Sequence, residues 1–139
     1  MKDYSQGYIL VERSKDWLDQ AEWDLEHAKH DLKAGFYDWA CFSAQQAAEK
    51  AIKAVIQKQG GEAWGHSVYE LLLELKDKFD VNSLLDKALE LDKAYIPTRY
   101  PNAHPSLSPR RRYTKIEAER LISYAEEIVN ACKSILSKI

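Results

Sequence analysis

The sequence predicts an all-α fold: an up-and-down bundle of four or five helices built around a long antiparallel helix pair. Three observations lead there. All four prolines, Pro97, Pro101, Pro105 and Pro109, lie in one stretch, and the five glycines fall only at positions 7, 35, 60, 61 and 65. Between these breaks apolar residues recur at three- and four-residue spacing, the period of a helix face. No segment alternates apolar and polar residues over a useful length, as a half-buried strand does.

The first helix is expected from about Ile9 to Ala34, with Leu18, Ala21, Leu25, Ala28 and Leu32 on one stripe and Gly35 as its stop. Trp23, His27 and His30 fall on the opposite side, where Trp23 either leans on a neighbour or meets a partner. The second helix, roughly Tyr37 to Gln59, is apolar or small over more than half its circumference and belongs at the bundle centre, where its alanines let backbones approach. Gln45 sits inside that arc and needs a backbone or inter-helix partner. Gly60-Gly61 ends the helix. Ser67 and Glu70 form a capping box opening a third helix to about Phe79, Asn82 is placed to cap a fourth, and Thr114 with Glu117 caps the last. The fourth helix ends before Pro97, because the residue preceding proline disfavours helical geometry.

At 139 residues and 45% apolar composition the chain suits one domain spanning 1–139, since two halves would each be too small to stabilise. No apolar run approaches the roughly 20 residues that cross a bilayer, and the stretch from Met1 to Gly7 lacks a basic-then-apolar leader. A cytoplasmic protein without a membrane partner is expected. Cys41 and Cys132 stand among small apolar residues and read as buried free thiols.

Charge is segregated. From Lys93 to Lys115 there are six basic residues, Lys93, Arg99, Arg110, Arg111, Arg112 and Lys115, and no acid; this segment carries +6 and leaves −8 on the rest of a chain of total charge −2. Within it Ile96 to Arg112 is expected to be a long loop, restrained by proline at every fourth position, with Tyr95, Tyr100 and Tyr113 as flat surfaces. Three arginines before a helix N-terminus suit a polyanion. The alternative is a solvated basic loop that only balances an acidic body. Arg99 and His104, four residues apart, have the residue types for metal-free RNA cleavage: imidazole for proton transfer and guanidinium for the phosphorane charge. His66, just before the third helix, either meets this loop in space or joins a helix cap. His27 and His30 lie one turn apart but nothing fixes a third ligand, and there is no phosphate-cradling glycine loop or nucleophile motif, so neither metal nor cofactor is expected.

Three blocks, the run from Tyr37 to Ala54 (YDWACFSAQQAAEKAIKA), Gly65-His66-Ser67, and Tyr95 to Asn102 (YIPTRYPN), together resemble the HEPN domain family over nearly the whole chain. The resemblance implies a helical bundle that dimerises with a second copy. It also implies a minimal nucleotidyltransferase partner in a toxin–antitoxin-like pair, or metal-independent endoribonuclease activity with Arg99 and His104 meeting their symmetry mates. The Arg99-Tyr100-Pro101 form is similar to the nucleotide-binding, nucleotidyltransferase-associated branch. The expected ligand set is therefore Arg99, Tyr100, Asn102, His104, Arg110, Arg111, Arg112, Lys115 and His66, binding a nucleotide or RNA. The alternatives are an endoribonuclease toxin with Arg99 and His104 as its catalytic pair, and a purely structural dimeric module.

Overall fold

A computed structural model describes residues 11–139, all helix, turn and loop with no strand among them. The elements are α1 (Ser14–Ala34), α2 (Tyr37–Lys58), α3 (Val68–Leu73), α4 (Leu85–Asp92) and α5 (Lys115–Leu136). The expected start near Ile9 falls outside the described residues. Helix α2 packs against both α1 and α5, while α3 and α4 pair with each other and close the bundle against α2 and α5. Ala40, Ala44, Ala47, Ala48 and Ala51 are fully buried along α2, the small side chains that let three helices share one axis region.

Gly35 stops α1 in the left-handed conformation (φ 84°), which lets Gly35 N–H reach the Leu32 carbonyl and Phe36 N–H that of Asp31. This two-residue turn delivers Phe36 to Trp39 to one end of the bundle. His27 is held by Ser43 Oγ (3.0 Å) and Asp31 (3.3 Å), so it pins α1 to α2. No group of three potential metal ligands occurs among the described residues. Both cysteines are buried free thiols whose pKa is pushed up to about 12, chiefly by burial, so neither is reactive.

Two expectations need correction. Helix α3 ends at Leu73 rather than near Phe79: the chain continues in tight turns, with the Glu74, Leu75 and Lys76 amides bonding three residues back. Asn82 does not cap α4 with its side chain. It opens a 3-10 turn, Asn82–Leu84, that leads into the helix. The Ile96–Arg112 loop is restrained at its prolines as expected: Pro101–Ala103 and Pro109–Arg111 form 3-10 turns with proline at the first position, where no N–H is needed.

The cap residues Ser67 and Thr114 accept from the Glu70 and Glu117 amides, each at 3.1 Å, as expected. The second half of the α3 cap comes from far away in sequence. Asp92, at the end of α4, accepts from the Val68 amide (2.7 Å), the Tyr69 amide (3.1 Å) and the Ser67 hydroxyl (2.8 Å), fixing the α3 N-terminus to α4.

Candidate functional site: an aromatic platform and a basic cleft

The chain after α4 folds over the first half of α2, anchored by buried Thr98, whose hydroxyl donates to the Ala94 carbonyl (2.7 Å). This places the Arg99 guanidinium among three aromatic rings: Phe42 at 4.2 Å, Tyr95 at 4.9 Å and Tyr100 at 5.2 Å from ring centroid to Cζ. Its Nε and Nη2 both donate to the Tyr95 carbonyl, at 3.0 and 2.6 Å. Arg99 is thus a half-buried strut with only part of its donor fork turned outward.

His104 is likewise engaged. Its Nε2 lies 2.6 Å from the Pro97 carbonyl, an acceptor only, so that nitrogen carries the proton and donates. Its ring stands edge-on to Tyr113, with centroids 6.1 Å apart. Arg99 and His104 flank one 3-10 turn, and each is bonded to a different loop carbonyl rather than to the other.

His66 reaches this platform. Its ring stacks on Tyr95 (5.0 Å, 16°), on the residue whose carbonyl holds Arg99. Its Nδ1 donates to both Glu49 carboxylate oxygens (3.2 and 3.3 Å), which leaves Nε2 on the exposed side of a side chain that is 57% accessible. Glu49 is only 3% exposed and is neutralised by buried Lys53 (3.0 Å) one turn along α2. Gln45, fully buried as expected, donates to the His66 carbonyl (2.8 Å) and accepts from Gln46 (2.8 Å). Four successive turns of α2 therefore feed one connected set, from Phe42 through Gln45 and Glu49 to Lys53.

Arg110 and Arg111 project into a cleft of about 660 Å³ beside the α1–α2 turn. Its walls are Phe36, Tyr37, Trp39 and Tyr113, with Asp38 also contributing. Phe36 and Trp39 are 55% and 46% exposed, far more than packing alone requires of side chains this large. Asp38 is a buried carboxylate; the two arginines still leave the cleft net positive. Trp39 meets Phe42 edge-on (6.2 Å, 80°), so the cleft and the Arg99 platform are one continuous aromatic surface. The Tyr113 hydroxyl has its pKa raised to about 12, by burial first and then by Glu117, and it stays protonated as a hydrogen-bond donor.

The fold therefore unites Arg99, Tyr100 and His66 on the platform and Arg110 with Arg111 in the cleft, while His104 borders both through Pro97 and Tyr113. Asn102, Arg112 and Lys115 are exposed and line neither. Phe36, Trp39, Phe42 and Glu49 are site residues that pattern reading does not single out. The legible signal was the density of the run Phe36-Tyr37-Asp38-Trp39 immediately after a helix stop.

Comparison with known proteins gives a consistent picture. The model of the HEPN domain matches residues 14–135. A Thermus thermophilus protein, TT1696, superposes with a TM-score of 0.86 at 46% identity, over 89% of this chain and 98% of that one. A HEPN domain protein of Thermotoga maritima does so with a TM-score of 0.74 at 57% identity, over 89% and 99%. An archaeal HEPN homologue, ST0689, gives 0.76 at 40% identity, over 89% and 98%. The Methanocaldococcus jannaschii protein named "Putative toxin MJ1304" is 29% identical across 92% of this chain and 91% of its own length.

Proposed function

Because the chain belongs to the HEPN domain family, and because its basic cleft is walled by exposed aromatic rings, we propose that it binds single-stranded RNA or a nucleotide in that cleft. The observation that carries the reading is Arg110 and Arg111 opposite Phe36 and Trp39. Guanidinium groups supply planar, permanently charged donors for phosphate, and exposed rings supply stacking surfaces for bases, the two requirements of single-strand recognition. Arg99 acts mainly as the strut that fixes the Phe42 and Tyr95 rings behind Trp39.

In this reading the protein is a homodimeric, cytoplasmic, toxin-like partner of a minimal nucleotidyltransferase. The similarity to "Putative toxin MJ1304", over 92% of this chain and 91% of that one, supports the toxin-like part of the reading. Trp39→Ala tests the cleft, because one stacked base contributes about 1–3 kcal/mol. Anisotropy of a labelled short RNA is expected to show affinity reduced about 10-fold or more, with the melting temperature nearly unchanged. Undiminished affinity would remove Trp39 from the site.

A second reading, RNA cleavage, is favoured by His66, an imidazole oriented by a buried carboxylate beside Arg99. Removing a general base or acid lowers rates about 10²–10⁴-fold. Incubation of RNA with the protein in chelator is expected to yield fragments that vanish for His66→Ala and return with added imidazole. RNA left intact by the native protein rejects cleavage and leaves the binding reading standing.

A further inference from the structure

A second cavity, about 230 Å³, lies between the start of α1, the far half of α2 and the connection to α3, lined among others by Trp17, Lys53, Gln57, Gly61, Glu62 and Trp64. Lys53 lies fourteen positions after Trp39 along α2, which at 1.5 Å per residue puts this cavity about 20 Å from the basic cleft. The proposed RNA-binding function makes no use of it.

Lys53 is the one cation among the described residues that line this cavity. It is only 8% exposed, yet among the described residues its ammonium, which carries three donors, gives one hydrogen bond, to Glu49. It also sits 5.6 Å from the Trp17 ring centroid. Because Lys53 lines the cavity, its remaining donors are offered to an acceptor inside it. Gln57 faces the same space, its carbonyl oxygen already taken by the Arg13 amide (2.8 Å), so its NH₂ is a second donor for that acceptor.

The charge balance and the walls restrict what that acceptor belongs to. Glu49 neutralises Lys53, and Glu62 adds a negative charge at the rim, so a phosphate or carboxylate is repelled while a neutral ligand offering acceptor and donor side by side is favoured. Trp64 is 78% exposed, and its indole N–H donates to Glu62 (3.2 Å), which holds a large flat ring at the mouth next to a carboxylate. Gly61 lets the connection run close to α2, since a Cβ there would stand 3.1 Å from Ile56 Cγ2. A volume below the roughly 300 Å³ of drug-sized sites limits the ligand to one or two fused rings.

We propose that this cavity binds a guanine base by its Watson–Crick edge, with the ring carbonyl accepting from Lys53 and the adjacent ring N–H and amino group donating to Glu62, the ring stacking on Trp64. Adenine presents an amino donor where guanine presents the carbonyl, which sets it against the ammonium. Uracil offers a carbonyl and an N–H, but its second carbonyl faces the Glu62 carboxylate.

The test is quenching of tryptophan fluorescence of the whole chain carrying R110E/R111E, so that the basic cleft does not contribute, by guanosine, adenosine, uridine, guanosine monophosphate and a short guanine-ended RNA. Saturable quenching by guanosine, at least 10-fold weaker for adenosine and uridine and no stronger for the monophosphate, is the expected result. RNA that binds no better than guanosine identifies the free base or nucleoside as the source, whereas much tighter RNA binding assigns the base to a strand end. Glu62 and Trp64 are exposed and tolerate substitution, so E62Q and W64A should each weaken guanosine at least 10-fold while melting as the native protein does. Guanosine should bind the chain with its native Arg110 and Arg111 as tightly as it binds the R110E/R111E chain, which separates this site from the cleft. Absence of saturable quenching, equal response to adenosine, or E62Q and W64A binding like the native chain would overturn the proposal.

Discussion

The Arg110→Glu/Arg111→Glu double variant is expected to lose on the order of 100-fold in affinity for a short single-stranded RNA at about 0.1 M salt. Each phosphate contact on a single strand contributes a slope of about 0.7 in the logarithm of affinity against that of salt. Between 1 M and 0.1 M salt that is about 5-fold per contact, or about 25-fold for the alanine pair, and reversing the charge adds repulsion. The salt slope itself should fall by about 1.4 for the alanine pair. Both arginines are exposed at a 3-10 turn outside the core, so the melting temperature should hardly move. Arg112→Glu is the control: it adjoins the pair in sequence but does not line the cleft, so its effect should be several-fold smaller. Anisotropy titrations across a salt series read all of these, and equal losses for Arg112 and for the pair would reduce the cleft to a diffuse basic surface.

Glu49→Ala is expected to be the most destabilising single change, by about 3–5 kcal/mol, because it strands the buried Lys53 ammonium without its counter-charge. For a chain of this size that corresponds to a fall of roughly 10–20 °C in melting temperature. The same substitution releases His66, which loses its only carboxylate partner in α2, and with it the stack on Tyr95 behind Arg99. Replacing both charges, in Glu49→Leu/Lys53→Leu, should recover much of the loss, since a buried ion pair is often no more stabilising than apolar residues of similar volume. Thermal unfolding of the native chain, Glu49→Leu, Lys53→Leu and the double variant measures the coupling. Additive single losses would mean that the two groups are solvated independently and that the cluster does not brace the platform.

Local features of the chain were read correctly because their causes are local. Gly35 needs only its own backbone freedom to stop α1, Ser67 and Thr114 cap amides three residues on, and Gln45 could be recognised as an amide buried in an apolar arc. What the pattern hides is settled by contacts across the sequence. Asp92 caps a helix whose first residue lies 24 positions earlier. Glu49 and Lys53 stand four apart, as on any solvated helix face, and the pair is buried by parts of the chain distant in sequence, among them Trp17 against Lys53 and His66 against Glu49. Arg99 carries the charge of a ligand contact, but three aromatic rings and the Tyr95 carbonyl turn much of it inward. The basic segment was legible as a whole; its division into a strut, a lined pair and an outlying remainder was not.

The central claim, that bases stack on Trp39 while phosphates meet Arg110 and Arg111, is tested most directly by the tryptophan indole N–H signals of the ¹⁵N-labelled protein during titration with a short oligoadenylate. The four tryptophans report from three places, Trp39 in the cleft, Trp17 and Trp64 at the Lys53 cavity and Trp23 on the exposed face of α1, and adenine is the base least suited to the Lys53 cavity. A saturating shift of the Trp39 signal, absent in Arg110→Glu/Arg111→Glu and accompanied by little change at Trp17, Trp23 and Trp64, is the predicted result. A shift centred on any of the other three, with Trp39 unmoved at saturation, would contradict the account.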